Sequence, residues 1–547
     1  MKKILLTVAL CCITAFFRAA ATDTDFKDKQ AGWLRKAEQA KPALTERIVR
    51  PVCLVTPVAD ESAYQGWRMD KVGEVADYQN SNINKMNDVI VDFGSHLTGY
   101  FTFKIKTVKG VQDAPIRIKF TFGEVPSEMA TPFDPFPGSL SRAWMQDEYV
   151  TMEYVDSYVT IPRRISGRYM RIELIGKATG GAYAMEDMYM TAYSSAAELK
   201  VEPLGEDVPE MIRDINNVSI ETLRECMQTV FEDGPKRDHR LWVGDLYLES
   251  LANRYSFRNF DLVKRCLYLF AGLTTDEGLI ISNLFEYPEP HSQKGSYMIT
   301  YSMLYNSVLL EYLKDTGDLE TADDLWCVAK RQIEDMLSFV NEDYLFDKKK
   351  KSTWIFIDWR NGLDISAPVH GASIFALNQT YELACMLGRE NEVKEWKSIE
   401  RNMIKAARKH LYDKASGVVV SGVNTQISVF SQAWMIKAGV LSDSEGQKAI
   451  RAVLDNPEAV MPGTPYGTHY LVDAMLQCGM KDEAKEYVID YWGGMVSKGA
   501  DTFWEAYDPE NDFISPYRFH PLNSYCHAWS CTPVYFIYKY PEIFQVK

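Results

Sequence analysis

At 547 residues the chain is too long for a single core and is sized for two or three domains. Hydrophobic residues make up 46% and charged residues 25%, a globular balance, and the 12% aromatic share suits stacking on flat sugar faces as well as filling large cores. The net charge of −15 argues against nucleic acid or anionic membranes as partners.

The N-terminus carries Lys2 and Lys3, an apolar run from Ile4 to Phe17, and small residues up to Ala21. A charged start, a short apolar stretch and a small-residue cleavage site predict a signal peptide over 1–21 and a periplasmic or secreted product. The apolar run is too short to span a bilayer, and no membrane insertion is expected. Loss of Lys2, Lys3 and Arg18 with that segment would take the net charge from −15 to −18. The eight cysteines beyond it are scattered with no C-x-x-C pair, so few disulfides and no zinc site are predicted.

From Thr22 to about residue 200 the pattern is strand-like. Gly99 to Lys106, Ile116 to Phe122 and Tyr169 to Ile175 alternate at period two, with Gly, Pro and Asp between them. This predicts an antiparallel β-sandwich over 22–200, with 124–146 as a long inserted loop and nothing catalytic in the domain. Over 201–547 the apolar spacing becomes three and four. Runs such as Tyr297 to Thr316, Ala322 to Phe339, Ser373 to Leu387 and Glu483 to Tyr491 predict about ten to twelve helices joined as hairpins. Without a tight repeat period they suit a closed helical toroid, in which loops at one end converge on a central pocket.

One stretch stands apart: Asp233-Gly-Pro-Lys-Arg-Asp-His-Arg-Leu-Trp-Val-Gly-Asp245. A helix from Asp238 would put Asp238, Trp242, Asp245 and Glu249 on one face, an arrangement that stability alone does not readily produce. Three further stretches combine aromatics with acids or His: Trp354-Ile-Phe-Ile-Asp-Trp359, Gly499-Ala-Asp-Thr-Phe-Trp-Glu505, and Asn523-Ser-Tyr-Cys-His-Ala-Trp529. Cleaving a glycosidic bond takes one carboxylic acid to protonate the leaving oxygen and a second carboxylate across the ring, with aromatic platforms to hold the sugar. There is no Gly-x-Ser-x-Gly elbow, no His-Glu-x-x-His helix and no phosphate-cradling Gly loop, so neither cofactor nor metal is expected. A polysaccharide lyase could cast Tyr287, His291, Arg360 and His527 as its bases, but the surplus of carboxylates favours hydrolysis.

The 233–245 stretch resembles the signature of the α-L-rhamnosidases of glycoside hydrolase family 78, within the six-hairpin glycosidases. Gly499 to Glu505 resembles the family's second motif and Ser524 to Trp529 its late His motif. The resemblance implies an (α/α)6 barrel over 201–547 and inverting hydrolysis of terminal α-L-rhamnosyl residues from a rhamnose-containing oligo- or polysaccharide. By position it implies Asp238 as general acid and Glu505 as general base. Asp233, Arg237, Trp242, Asp245, Trp354, Asp358, Trp359, Trp504 and His527 would bind the sugar. The chain departs from the commoner pattern in having Gly234 before Pro235, where Cys is usual, and an aspartate as acid, where Glu is usual. A related inverting glycosidase on another sugar and a non-catalytic glycan-binding protein of the same fold are the competing readings.

Overall fold

The computed structural model describes residues 26–196 and 199–546; the expected signal peptide lies outside the described residues. The first domain is an antiparallel β-sandwich of nine strands: β1 (Thr45–Val49), β2 (Cys53–Ala59), β3 (Trp67–Gly73), β4 (Asp88–Gly110), β5 (Ile116–Gly123), β6 (Asp147–Met152), β7 (Tyr158–Thr160), β8 (Ile165–Gly176) and β9 (Gly181–Ser194). The 23-residue β4 is its spine. Its first half pairs with β2 and β8, its second with β9 and β7, and the register shifts between Asp92 and Leu97. The Asp92 carboxylate receives the Gly94 N–H at 2.6 Å, and Gly94 takes a positive φ of 85° that other residues resist. Gly99 is required for a different reason: a Cβ there would stand 2.0 Å from the Thr191 carbonyl oxygen. Phe101, Phe103, Phe120 and Phe122, all buried, stack at the heart of the sandwich.

The second domain is a toroid of twelve principal helices. After α1 (Phe26–Gln39), which precedes the sandwich, they are α2 (Glu210–Cys226), α3 (Val243–Tyr255), α4 (Phe260–Gly272), α5 (Ile299–Thr316), α6 (Leu319–Leu337), α7 (Ser366–Met386), α8 (Trp396–His410), α9 (Val429–Lys437), α10 (Asp443–Leu454), α11 (Pro465–Gln477), α12 (Lys481–Ser497) and α13 (Pro533–Lys539). Helices α3, α5, α7, α9, α11 and α13 form the inner ring. Neighbours from α3 to α11 pack in sequence and α13 returns to α3, while His469 of α11 stacks against Tyr535 and Phe536 of α13. Inner helices bury most of their residues, whereas α2, α6, α8 and α10 are amphipathic with one wet face.

Two sequence expectations are corrected here. From Phe26 onward the chain is first helix and not strand: Phe26, Trp33 and Ala37 share one face of α1, which packs on α4 of the toroid. Nor does a helix run from Asp238. The helix starts at Val243, so Asp245 and Glu249 share it but Asp238 and Trp242 do not. Residues 233–240 instead close into a loop. The Asp233 N–H donates to the Arg240 carbonyl (3.0 Å) and its carboxylate accepts the N–H groups of Asp238 and Arg240 (3.3 and 3.1 Å). His239 sits at φ 63°, in the left-handed region that interrupts a helix. Leu241 and Trp242 then pair with Leu284 and Asn283 in a small ribbon.

Candidate active site

The pocket lies at the N-terminal ends of the inner helices. Trp242 and Asp245 come from the start of α3, Met298 and Tyr301 from the start of α5, and Trp354, Phe356 and Trp359 from the loop before α7. Glu505, Tyr517, His527 and Trp529 come from the long segment before α13. Together with the 233–240 loop they enclose a cavity of about 250 Å³. Another cleft of about 270 Å³ lies on the sandwich; its wall includes Lys119, Arg171 and Glu173, whose charges are already paired with one another or with Asp88.

Asp233, Arg237, Asp238, Trp242, Asp245, Trp354, Trp359, Glu505 and His527 all face this cavity. Arg237 is the hinge of the arrangement. Its Nη1 donates to Asp238 at 2.8 Å and its Nη2 to both Glu505 oxygens at 2.9 and 2.8 Å. Its plane lies 4.2 Å from the Tyr517 ring centroid, and its Nε donates to the Leu522 carbonyl. One guanidinium therefore separates the two carboxyl groups. Asp238 also lies 3.4 Å from Arg240.

Electrostatics sort the carboxylates. Burial pushes the Glu505 pKa up, but Arg237, His527, the Tyr517 hydroxyl and the Ser524 N–H outweigh it and hold it below the usual range. Asp233 and Asp245 go the other way. Burial raises both well above the ordinary value; the charges on Asp238 and Asp245 add to the rise at Asp233, and those on Glu505 and Asp238 add to it at Asp245. His527, buried beside Trp529, is pulled down to about 4 by desolvation and is neutral at physiological pH. Trp242 Nε1, Trp359 Nε1, Asp245 Oδ1 and His527 Nδ1 are buried without a hydrogen-bond partner among the described residues. Such groups on a cavity wall are free to meet ligand hydroxyls.

The structure does not place two of the expected sugar binders on the wall. Asp358 is turned into the protein: its Oδ1 accepts the N–H groups of Arg360 (2.8 Å) and Gly463 (3.0 Å), and its Oδ2 the Thr464 hydroxyl (2.5 Å). It ties the loop before α7 to the cap of α11, and burial raises its pKa to about 6. Trp504 points away from the cavity and stacks on Tyr64 of the sandwich domain, ring centroids 4.0 Å apart. Three of the four groups that a lyase would have used lie apart from His527: Tyr287 and His291 are exposed on the 283–292 ribbon, and Arg360 pairs with Asp508.

Sequence reasoning missed what the sandwich supplies. Lys236, the neighbour of Arg237, is buried between Glu124 (3.0 Å) and Glu128 (2.8 Å) of the first domain. Glu124 also accepts the Tyr525 N–H at 2.6 Å, one residue from the N–H that reaches Glu505, and pairs with His96 at 3.0 Å. Tyr517 was missed too; its position twelve residues beyond Glu505, in Ser515-Pro-Tyr517, was the only hint. All eight described cysteines are free.

Two family models match the chain. Residues 51–192 match the glycosyl hydrolase family 78 α-rhamnosidase N-terminal domain, and residues 209–540 the bacterial α-L-rhamnosidase six-hairpin glycosidase domain. Among solved structures, a rhamnosidase from Klebsiella oxytoca with rhamnose bound is 37% identical, with a TM-score of 0.89 over 93% of this chain and 99% of that one. The family 78 rhamnosidase of Bacillus sp. GL1 is 20% identical with a TM-score of 0.67 over 82% of this chain, and the α-L-rhamnosidase of Streptomyces avermitilis 15% with 0.62 over 91%. This chain spans 46% and 44% of the length of those two larger proteins, which show likeness of fold alone. No curated protein matches the sequence. With most of its length matched by these two models and a 37% identical relative aligned almost end to end, the chain belongs to glycoside hydrolase family 78, the α-L-rhamnosidases.

Proposed function

We propose that the protein is an exo-acting, inverting α-L-rhamnosidase that releases terminal rhamnose from a rhamnose-containing glycan. The observation that carries this is the Arg237 fork, which holds a carboxylate from each of two distant motifs on opposite sides of one guanidinium in an aromatic-walled cavity. An inverting enzyme needs roughly 6.5–9.5 Å between acid and base to fit a water, and the intervening guanidinium keeps these two carboxyls out of direct contact. Glu505 is ionised at neutral pH and acts as the base, taking a proton from the attacking water. Asp238, in its protonated form, gives its proton to the glycosidic oxygen as it leaves. Arg237 keeps both oriented and stabilises the charge shared between them.

Asp245, His527, Trp242 and Trp359 would bind the sugar, their free polar atoms meeting its hydroxyls. Asp233 would hold the Asp238 loop through two backbone N–H groups and is kept from full ionisation by its surroundings. Asp358 and Trp504 take supporting rather than binding roles. At about 250 Å³ the cavity suits a single chain-end sugar. The first 21 residues have the character of a signal peptide, so we place the reaction outside the cytoplasm; N-terminal sequencing of the exported product tests this.

Release of nitrophenol from 4-nitrophenyl α-L-rhamnoside by the purified protein tests the activity. Turnover of this substrate and not of the corresponding β-D-glucoside or α-L-arabinofuranoside supports it. Measurable rhamnose binding with no turnover would mean a glycan-binding protein of the same fold. Turnover of another glycoside alone would assign a different sugar.

A further inference from the structure

The 131–146 segment of the sandwich domain reaches across to the toroid and presents two side chains to the cavity, Leu140 and Trp144. Among the described residues on the wall, these two alone come from the first domain. The segment is fastened on both sides. The Ser139 N–H donates to the Tyr517 carbonyl at 3.0 Å, and Arg163 donates to the carbonyls of Met145 (2.9 Å) and Trp144 (3.2 Å). Phe133 and Met145 pack with Tyr517, Phe519 and Leu522 in a small core between the domains. Trp144 itself is only partly buried, so its indole is held in place with surface to spare.

Its position relative to the two carboxylates is what assigns it. In an inverting reaction the base and its water stand on one side of the anomeric carbon and the acid stands by the leaving oxygen on the other. Here Arg237 lies between Glu505 and Asp238. Arg240 lies beyond Asp238, 3.4 Å from its carboxylate, with its guanidinium 6.0 Å from the Trp144 ring centroid. Contacts run in series from Glu505 through Arg237 to Asp238 and on through Arg240 to Trp144, so Trp144 adjoins the second cation that pairs with the general acid. Arg240 is also fixed, bonded to Gln293 at 3.2 Å and lying 4.4 Å from the Phe285 ring.

We propose that Trp144, Leu140 and Arg240 form the binding site for the leaving group, and that this group is a second sugar ring. The inference rests on the rhamnosidase reading above. A flat indole with an apolar neighbour takes the C–H face of a pyranose, while the Arg240 guanidinium and the Gln293 amide bond its hydroxyls. The sandwich domain thus selects what rhamnose is attached to, and the toroid selects rhamnose.

The test compares a rhamnosyl-glucose disaccharide with 4-nitrophenyl α-L-rhamnoside in wild type, Trp144→Ala and Trp144→Phe. Trp144→Ala should lower kcat/KM on the disaccharide about ten-fold or more, the scale of one lost stacking contact. On the aryl rhamnoside the fall should be smaller, about three-fold on the same scale. The inhibition constant of free rhamnose should stay at the wild-type value, and Trp144→Phe should recover most of the loss. Equal losses on both substrates, or a weakened rhamnose inhibition constant, would overturn the assignment, since either would place Trp144 at the rhamnose end or in the general fold. Wild type that cleaves the aryl rhamnoside but no disaccharide would overturn the second-sugar claim alone. Wild type that cleaves no rhamnoside would instead overturn the activity on which the proposal rests.

Discussion

Replacing Arg237 separates its electrostatic role from simple packing. Arg237→Lys keeps a positive charge but loses the planar fork, so a single nitrogen must replace the two that span Glu505 and Asp238. Two charge-assisted bonds to a buried carboxylate contribute about 1.5 kcal/mol each. Both act only on the ionised form of Glu505, so about 3 kcal/mol corresponds to roughly two pH units in its pKa. The sign follows from the environment. Glu505 is held below the usual carboxylate range by Arg237 against the upward push of burial, so weakening Arg237 lets burial prevail and its pKa rises. In the wild type the base stays ionised until the pH falls below the ordinary glutamate value, and the stability gained from its charge is lost only as the pH drops through the depressed folded-state pKa. The assay is kcat/KM on the aryl rhamnoside across pH 3–8, with thermal unfolding followed in parallel. The acidic limb of the Lys variant should move upward by about one to two units. An acidic limb that stays in place while the rate falls would refute the claim that Arg237 keeps Glu505 ionised.

Asp238→Asn and Glu505→Gln should each lower kcat on the aryl rhamnoside by about 10²–10⁴-fold, the usual contribution of a positioned acid or base. A near-normal rate in Asp238→Asn would pass the acid role to Asp233 or Asp245, the two carboxyls on the cavity wall with raised pKa values. Lys236→Met leaves Glu124 and Glu128 facing each other in the domain interface, and breaking such a buried pair should cost about 3–5 kcal/mol in urea unfolding at pH 7. A loss under 1 kcal/mol would show that the pair contributes little. Trp504→Ala should destabilise the fold by about 3–5 kcal/mol while the rhamnose inhibition constant stays put. A ten-fold weaker rhamnose constant would return Trp504 to the sugar site.

Much of this architecture was legible because its signals are local. Period-two alternation in Gly99 to Lys106 and Ile116 to Phe122 survives in β4 and β5 because each has one face in the sandwich core. The inner helices were harder to delimit. Buried all round, they carry little amphipathic rhythm, and their tight packing demands residues that read as helix breakers. Helix α7 starts at Ser366 rather than Ser373, with Pro368 tolerated in its first turn and Gly371 pressed against the Trp434 backbone, where a Cβ would meet it at 2.8 Å. The outer helix α12 was hard to delimit too: it runs past Tyr491 to Ser497 through Gly493 and Gly494, against Met211 and Tyr507.

Within the site, motif order was enough to bring the 233–245 and 499–505 stretches to one cavity. The direction in which a side chain points was not readable. Trp504 and Glu505 are neighbours, yet one stacks on Tyr64 and the other faces the pocket. Asp358 sits among the wall aromatics but turns its carboxylate to the Gly463 N–H and the Thr464 hydroxyl, more than 100 residues away. Trp144 lay in a segment that looked like a plain loop, because its function depends on a contact with residues near 517 that no local pattern records.

The central claim is that Glu505 and Asp238 act on opposite sides of the anomeric carbon with a water between them. Proton NMR of the sugar first released from an aryl α-L-rhamnoside tests it most directly, provided spectra are taken before mutarotation. The arrangement predicts β-L-rhamnose as the initial product, relaxing afterwards toward the equilibrium mixture. Initial release of α-L-rhamnose would mean a covalent intermediate and would contradict the account.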